Sequence, residues 1–170
     1  MPDDAHLYEL ATRIGRRLLV AKRRIVTAES CTGGWIAKVL TDVPGSSQWV
    51  ECGYVTYSNA AKMRDLGVSR ATLDAHGAVS EATVLEMARG ALRVSGVDIA
   101  VAVSGIAGPD GGVAGKPVGT VWFATAFRRG EDVVVDARRQ LFERDRETVR
   151  RRSVEYAMEL ILQLGLPHPG

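Results

Sequence analysis

Cysteine is scarce in this 170-residue chain, with Cys31 and Cys52 the only two. They are too few for a disulfide framework and lack metal-site spacing, so reduced thiols in the cytosol are the expectation. Long apolar runs are absent too: none approaches the roughly 20 residues that cross a bilayer. The start, Met1-Pro2-Asp3-Asp4, has no basic-then-apolar signal pattern. These absences point to a cytoplasmic protein with no membrane partner. Charge of one sign is missing as well, since the net charge is only +2, and whole-molecule electrostatics do not demand nucleic acid. Nor do aromatics interleave with the basic residues as they do in single-stranded nucleic-acid sites. Three histidines remain: His6 and His168 in terminal segments and His76 in a loop before Gly77. What is present is ordinary for a soluble globular chain, with 46% hydrophobic and 25% charged residues. A single domain over residues 1–170 is expected.

Periodicity then lays out the elements. Leu7, Leu10, Ala11, Ile14, Leu18 and Leu19 share one face of a helix over 7–23, with Arg13, Arg16 and Arg17 on another. Ile25 to Ala28 reads as a buried strand and Thr32 to Leu40 as a helix stopped near Val43-Pro44-Gly45. Trp49 to Tyr57 is strand-like, and Ser58-Asn59 caps a short helix carrying Lys62. Residues 67–77 read as a connection, and Ser80 caps a helix to about Val94. Asp98 to Val103 has no polar face after its first residue, as in a central strand. Val118–Phe127 and Val133–Phe142 form a hairpin around Arg129-Gly130, and Arg146–Leu164 closes the chain as a helix. This order predicts an α/β fold, three layers α/β/α, with a mixed sheet that includes an antiparallel hairpin.

The chemistry concentrates at Thr27-Ala28-Glu29-Ser30-Cys31-Thr32-Gly33-Gly34-Trp35. A strand-to-helix turn there presents a hydroxyl and a thiol at a helix N-terminus, where unpaired N–H groups and the dipole favour an anion. The N–H groups of Thr32 and Gly33 are candidate oxyanion donors, and the paired glycines let a substrate come close. The plainer alternative is a capped helix with glycines that relieve crowding. If Ser30 is a nucleophile it needs a base. A triad through His76 has no supporting local pattern. Lys62 is the better candidate, five residues after Tyr57 at a second strand-to-helix junction. A lysine base must be neutral, and moving its pKa from about 10.4 to near 7 takes roughly 4–5 kcal/mol. Tyr57 is placed to relay the proton or hold the lysine. Against this stands an ordinary solvated lysine. Cys31 is the rival nucleophile, but a small buried filler is preferred for it.

Downstream, Ser104-Gly105-Ile106-Ala107-Gly108-Pro109-Asp110-Gly111-Gly112 follows the central strand, where ligands bind in open α/β sheets. It is not a Walker A loop, because Gly115-Lys116 runs into Pro117. A nest of N–H groups for a phosphate and a plain surface loop both remain open. Arg144, Arg146, Arg150, Arg151 and Arg152 cluster at the start of the last helix. A solvated face is their usual meaning. Cations there oppose the dipole, however, which suits one or two retained for an anionic ligand.

Together, Ala28-Glu29-Ser30-Cys31-Thr32-Gly33-Gly34, Thr56-Tyr57-Ser58-Asn59 with Lys62, Gly77-Ala78-Val79-Ser80, Ser104 to Pro109 and Lys116-Pro117-Val118-Gly119-Thr120-Val121 closely resemble the C-terminal domain of the competence/damage-inducible protein CinA. The likeness runs in order through nearly the whole chain. It implies a stand-alone member, a bacterial nicotinamide-nucleotide amidohydrolase, given the short lead-in to the first helix. The resemblance further implies deamidation of nicotinamide mononucleotide to nicotinate mononucleotide and ammonia, without metal or cofactor, in recycling of pyridine nucleotides. It maps Ser30 as nucleophile, Lys62 as base and Tyr57 as its partner, with Thr32 and Gly33 as the oxyanion hole. Gly34, Gly105, Ile106, Ala107, Gly108 and Arg146 would line the nucleotide, and a homodimer is suggested. One departure is Arg144, where the family commonly has glycine before Asp-Arg; it leaves the phosphate contact of Arg146 open. The rival readings are an inactive nucleotide-binding module of the same fold and, more weakly, a nucleic-acid-associated role with steeply salt-dependent DNA binding.

Overall fold

A computed structural model describes residues 1–167; His168 lies outside the described residues. Helix α1 spans Asp4–Ala21, with the Asp3 carboxylate accepting from the His6 N–H. It buries Leu7, Leu10, Ala11, Ile14 and Leu18. Leu19, which the periodicity put on that face, is exposed, because five residues beyond Ile14 the helix has turned about 140° away. At Gly15 the helix meets the fully buried Trp49, where a Cβ would stand 2.7 Å from the indole.

Strand β1 (Ile25–Glu29) is buried throughout and is followed by α2 (Trp35–Thr41) and β2 (Val50–Val55). Helix α2 starts three residues later than its sequence pattern suggests, because residues 30–34 form the turn itself. Helix α3 (Asn59–Leu66) is capped by the Ser58 hydroxyl, which accepts from the Ala61 N–H. The connection expected over 67–77 contains a helix, α4 (Arg70–His76), whose cap is Ser69 accepting from the Thr72 N–H. Only seven residues long, it shows too little periodicity to be read. Helix α5 (Glu81–Ser95), β3 (Ile99–Gly105), β4 (Thr120–Arg129), β5 (Asp132–Leu141) and α6 (Arg146–Leu162) complete the fold.

The sheet order is β2-β1-β3-β4-β5. The first three strands are parallel, and β4 and β5 are the antiparallel hairpin, joined by a two-residue turn at Gly130-Glu131. One apolar cluster packs α1, α2 and α6 on one face. A second packs α3, α4 and α5 on the other. Strand parity assigns β1 to both: Val26 and Ala28 face α5, whereas Ile25 faces α1 and α6. Continuing the alternation, Glu29 points toward α2 and Ser30 toward α3. Among the described residues no helix is long and apolar enough to cross a membrane.

Candidate active site

Parallel pairing brings three carboxyl-terminal strand ends to one edge of the sheet. Glu29 pairs with Val55 on one side and Val103 on the other, and the ladder runs one residue further: Ser30 N–H donates to Val103 O at 3.0 Å, Thr56 N–H to Glu29 O at 2.9 Å. Ser30, Thr56 and Ser104 therefore emerge side by side, 26 and 48 residues apart in sequence from Ser30 to Thr56 and from Thr56 to Ser104.

Lys62 reaches this edge from the first turn of α3. Its Nζ lies 2.9 Å from Ser30 Oγ, 2.7 Å from the Thr56 carbonyl and 3.5 Å from the Tyr57 carbonyl. The side chain is 1% exposed and Ser30 8%. Among the described residues no carboxylate contacts the amine, so burial is uncompensated and lowers the Lys62 pKa from 10.5 to about 8. Protonated, the amine donates to both carbonyls and to Ser30 Oγ; once neutral, it keeps two N–H bonds for the carbonyls and its lone pair is free to accept the Ser30 hydroxyl proton. Cys31, beside Ser30, is buried, and desolvation pushes its thiol up to about 12. A thiol so protonated is a poor nucleophile at neutral pH.

The Tyr57 side chain is mostly exposed, and its hydroxyl accepts from Arg146 at 3.1 Å, so the contact of this residue with Lys62 is through the main chain. Arg146 also donates to the Gly108 carbonyl at 2.8 Å. It thereby joins the end of β2 to the glycine-rich loop. That loop leaves β3 at Gly105, where a Cβ would strike Val121 at 2.7 Å. Ile106 is stitched to Thr120 and Gly119 by two backbone hydrogen bonds. Ala107 and Gly108 are buried beneath, and Lys116 fastens the far end by donating to the His76 carbonyl. His76 itself is exposed at the end of α4. His6 is exposed and pairs with Glu155.

The turn after Ser30 is built differently from the sequence expectation. The α2 N-terminus, read there as a place for an incoming anion, already holds one. The fully buried Glu29 carboxylate accepts from the Gly34, Ile36 and Ala37 N–H groups at 2.8–3.1 Å and from the hydroxyls of Thr32 at 2.6 Å and Thr27 at 3.2 Å. Three N–H groups and two hydroxyls thus converge on its two oxygens. The Gly33 N–H is spent on the Ser30 carbonyl at 3.0 Å, closing the turn. The Thr32 N–H has no partner among the described residues. Gly33 and Gly34 adopt φ of +65° and +93°, which side-chain-bearing residues resist.

Two of the clustered arginines also belong here. Arg150 donates to the Cys31 carbonyl at 3.1 Å and the Thr32 carbonyl at 2.9 Å, and with Arg151 it flanks the Trp35 ring. Arg151 also pairs with Asp4 and Glu147. Neither is a simple solvated cation. Glu29 and Arg150 were not singled out from the sequence. A glutamate ending an otherwise apolar strand is a usable signal for the first; nothing local distinguishes the second from its neighbours. Among the described residues no group of three or more His, Cys, Asp or Glu side chains stands together as a metal site.

This arrangement, a buried hydroxyl against an uncompensated amine at a sheet edge, suits nucleophilic attack on a carbonyl. Comparison with known proteins gives the family of the chain. The family model of the CinA C-terminal domain matches residues 7–164. The nicotinamide-nucleotide amidohydrolase PncC of Escherichia coli K12 is 53% identical over 160 residues, 94% of this chain and 95% of that protein. The protein of the same name from Pseudomonas putida is 54% identical over 156 residues, 92% and 95% of the two chains. Among solved structures, the competence/damage-inducible protein of Agrobacterium tumefaciens superposes with a TM-score of 0.88 at 46% identity, covering 96% of this chain and 97% of its own. A CinA superfamily protein of E. coli gives 0.89 at 36% identity, covering 96% and 93%. This chain belongs to the CinA C-terminal domain family.

Proposed function

We propose that the protein is a nicotinamide-nucleotide amidohydrolase that deamidates nicotinamide mononucleotide through an acyl-enzyme at Ser30. The observation that carries the mechanism is the 2.9 Å approach of Lys62 Nζ to Ser30 Oγ in buried surroundings that lower the pKa of the amine. Neutral Lys62 takes the hydroxyl proton as Ser30 Oγ bonds to the carboxamide carbon. The negative charge that develops on the carbonyl oxygen is met by the Thr32 N–H, with Gly33 supplying the backbone conformation of the turn. Protonated Lys62 gives its proton to the departing nitrogen, and ammonia leaves. Water then attacks the acyl carbon, with Lys62 taking its proton and returning it to Ser30, and nicotinate mononucleotide is released.

Tyr57 serves through its carbonyl, which holds Lys62, and through its hydroxyl, which with Arg146 frames the mouth. Gly34 and the 105–108 loop border the nucleotide, and Arg146 offers a guanidinium for its phosphate. Closeness in sequence to two proteins named for this activity, over more than nine-tenths of the chain, supports the substrate. In this reading residues 1–170 act as one cytoplasmic domain, the active form is a homodimer, and no cofactor takes part.

The test is ammonia release from nicotinamide mononucleotide in the presence of a metal chelator, by wild type and by Ser30→Ala. Release that survives the chelator and vanishes in the variant is the expected result. A folded wild type that raises its melting temperature with the nucleotide but releases no ammonia would replace the enzyme by a binding module.

A further inference from the structure

From the hold on the turn after Ser30 we infer that Arg150 is a positioning residue: by fixing the Cys31 carbonyl it aims the Thr32 N–H at the oxygen of the acyl group under attack. This rests on the proposed acyl-enzyme at Ser30.

A trans peptide is planar, so its C=O and N–H point in opposite directions. The peptide between Cys31 and Thr32 has its oxygen held 3.1 Å from Arg150 Nε. Arg150 comes from α6, packed on the face opposite to α3. The Thr32 N–H therefore points away from α6, toward the side where Ser30 meets Lys62. The next peptide is treated likewise. Arg150 Nη2 holds the Thr32 carbonyl at 2.9 Å, and the Gly33 N–H on its far end closes onto the Ser30 carbonyl. One planar fork thus sets two successive peptides, and only one of their N–H groups is left for a ligand.

Other contacts stiffen the fork and the turn. Arg150 stacks 5.4 Å from the Trp35 ring, and a Cβ on Gly33 would stand 3.4 Å from its Nη2. From the α2 side the Glu29 carboxylate fixes the Thr32 hydroxyl and the N–H groups of Gly34, Ile36 and Ala37. Two carbonyls of the turn, those of Cys31 and Thr32, are thus held by a cation, and the N–H groups of Gly34, Ile36 and Ala37 by an anion. A lysine carries the same charge but presents one nitrogen, without the geometry to hold both carbonyls.

The experiment measures kcat and KM for nicotinamide mononucleotide with wild type, Arg150→Met and Arg150→Lys, after melting curves confirm that each is folded. In parallel, labelling of Ser30 by a small fluorophosphonate is followed by intact mass. In that reaction the Oγ–P bond forms, fluoride leaves, the proton passes to Lys62, and the phosphoryl oxygen needs the same donor. Loss of one oxyanion donor typically costs 10²–10³ in rate, and a misaimed one less. We expect kcat and the labelling rate to fall together on the order of 30-fold or more in Arg150→Met, KM to stay within about threefold, and Arg150→Lys to recover only part of the loss. Full recovery by lysine, unchanged labelling, or an effect confined to KM would each overturn the inference. Wild type that labels at Ser30 but does not deamidate would refute the substrate while leaving the role of Arg150 to be read from labelling. Wild type that does not label would remove the nucleophile and the inference with it.

Discussion

Lys62→Met is expected to change how stability responds to pH as well as to abolish turnover. The lysine is charged in the unfolded chain up to pH 10.5 but in the folded protein only up to about 8. Below pH 8 both states carry the proton, and folding bears the whole penalty of burying the ammonium. The difference of about 2.5 pK units corresponds to about 3 kcal/mol. Between pH 8 and 10.5 the unfolded state binds more protons than the folded one, so this contribution to stability rises with pH. From pH 7 to 9.5 the gain works out at about 2 kcal/mol. Methionine has similar length and no titration. The carbonyls of Thr56 and Tyr57 that it leaves without a donor lower its stability by the same amount at either pH. Urea unfolding of both proteins at pH 7 and 9.5 isolates the lysine, because tyrosine and other titrations cancel in the double difference. Wild type should gain about 2 kcal/mol relative to Lys62→Met over that interval. Parallel stability profiles would refute the claim that the folded protein holds this lysine with a lowered pKa, and with it the neutral base.

The same pKa governs rate: kcat/KM should rise about tenfold per pH unit below 8 and level off above it, as Lys62 loses its proton. A flat profile from pH 6 to 9 would exclude the lysine as base. Cys31→Ala should keep most of the ammonia release, since a thiol pushed up to about 12 is not the nucleophile; loss comparable to Ser30→Ala would reverse the assignment. Glu29→Gln should lower stability by roughly 2–4 kcal/mol, on the order of 10 °C in melting temperature, because the amide nitrogen must face N–H or O–H donors now accepted by a carboxylate oxygen. A melting temperature within 2 °C of wild type would show that the turn finds another arrangement.

Much of the fold was legible because its signals are local. The apolar stripe from Leu7 to Leu18, the featureless run from Ile99 to Val103 and the serine caps at Ser58 and Ser80 each predict an element where one stands. Helix α4 was missed for the complementary reason: two turns with one buried residue, Leu73, carry almost no periodicity. The proximity of Ser30 and Lys62 was anticipated from two similar strand-to-helix junctions, yet what brings them together is pairing in register between β1 and β2, which local pattern does not encode.

Which donors of the turn are already taken follows once parity is carried past β1. With Val26 and Ala28 facing α5, alternation alone sends Glu29 to the α2 side and Ser30 to the α3 side. That single step explains why a buried carboxylate and the proposed nucleophile can be chain neighbours without interfering. The carboxylate is neutralised by the N–H groups of α2, so those donors are withdrawn from any substrate. Its charge is also kept off the amine, which no carboxylate among the described residues touches and whose pKa is lowered by burial. An acidic residue on the same face as Ser30 would pair with Lys62, hold it protonated and remove the base. The placement of Glu29 one residue before Ser30, and on the other side of the sheet, therefore leaves Lys62 without an acidic partner, as the proposed lysine base requires.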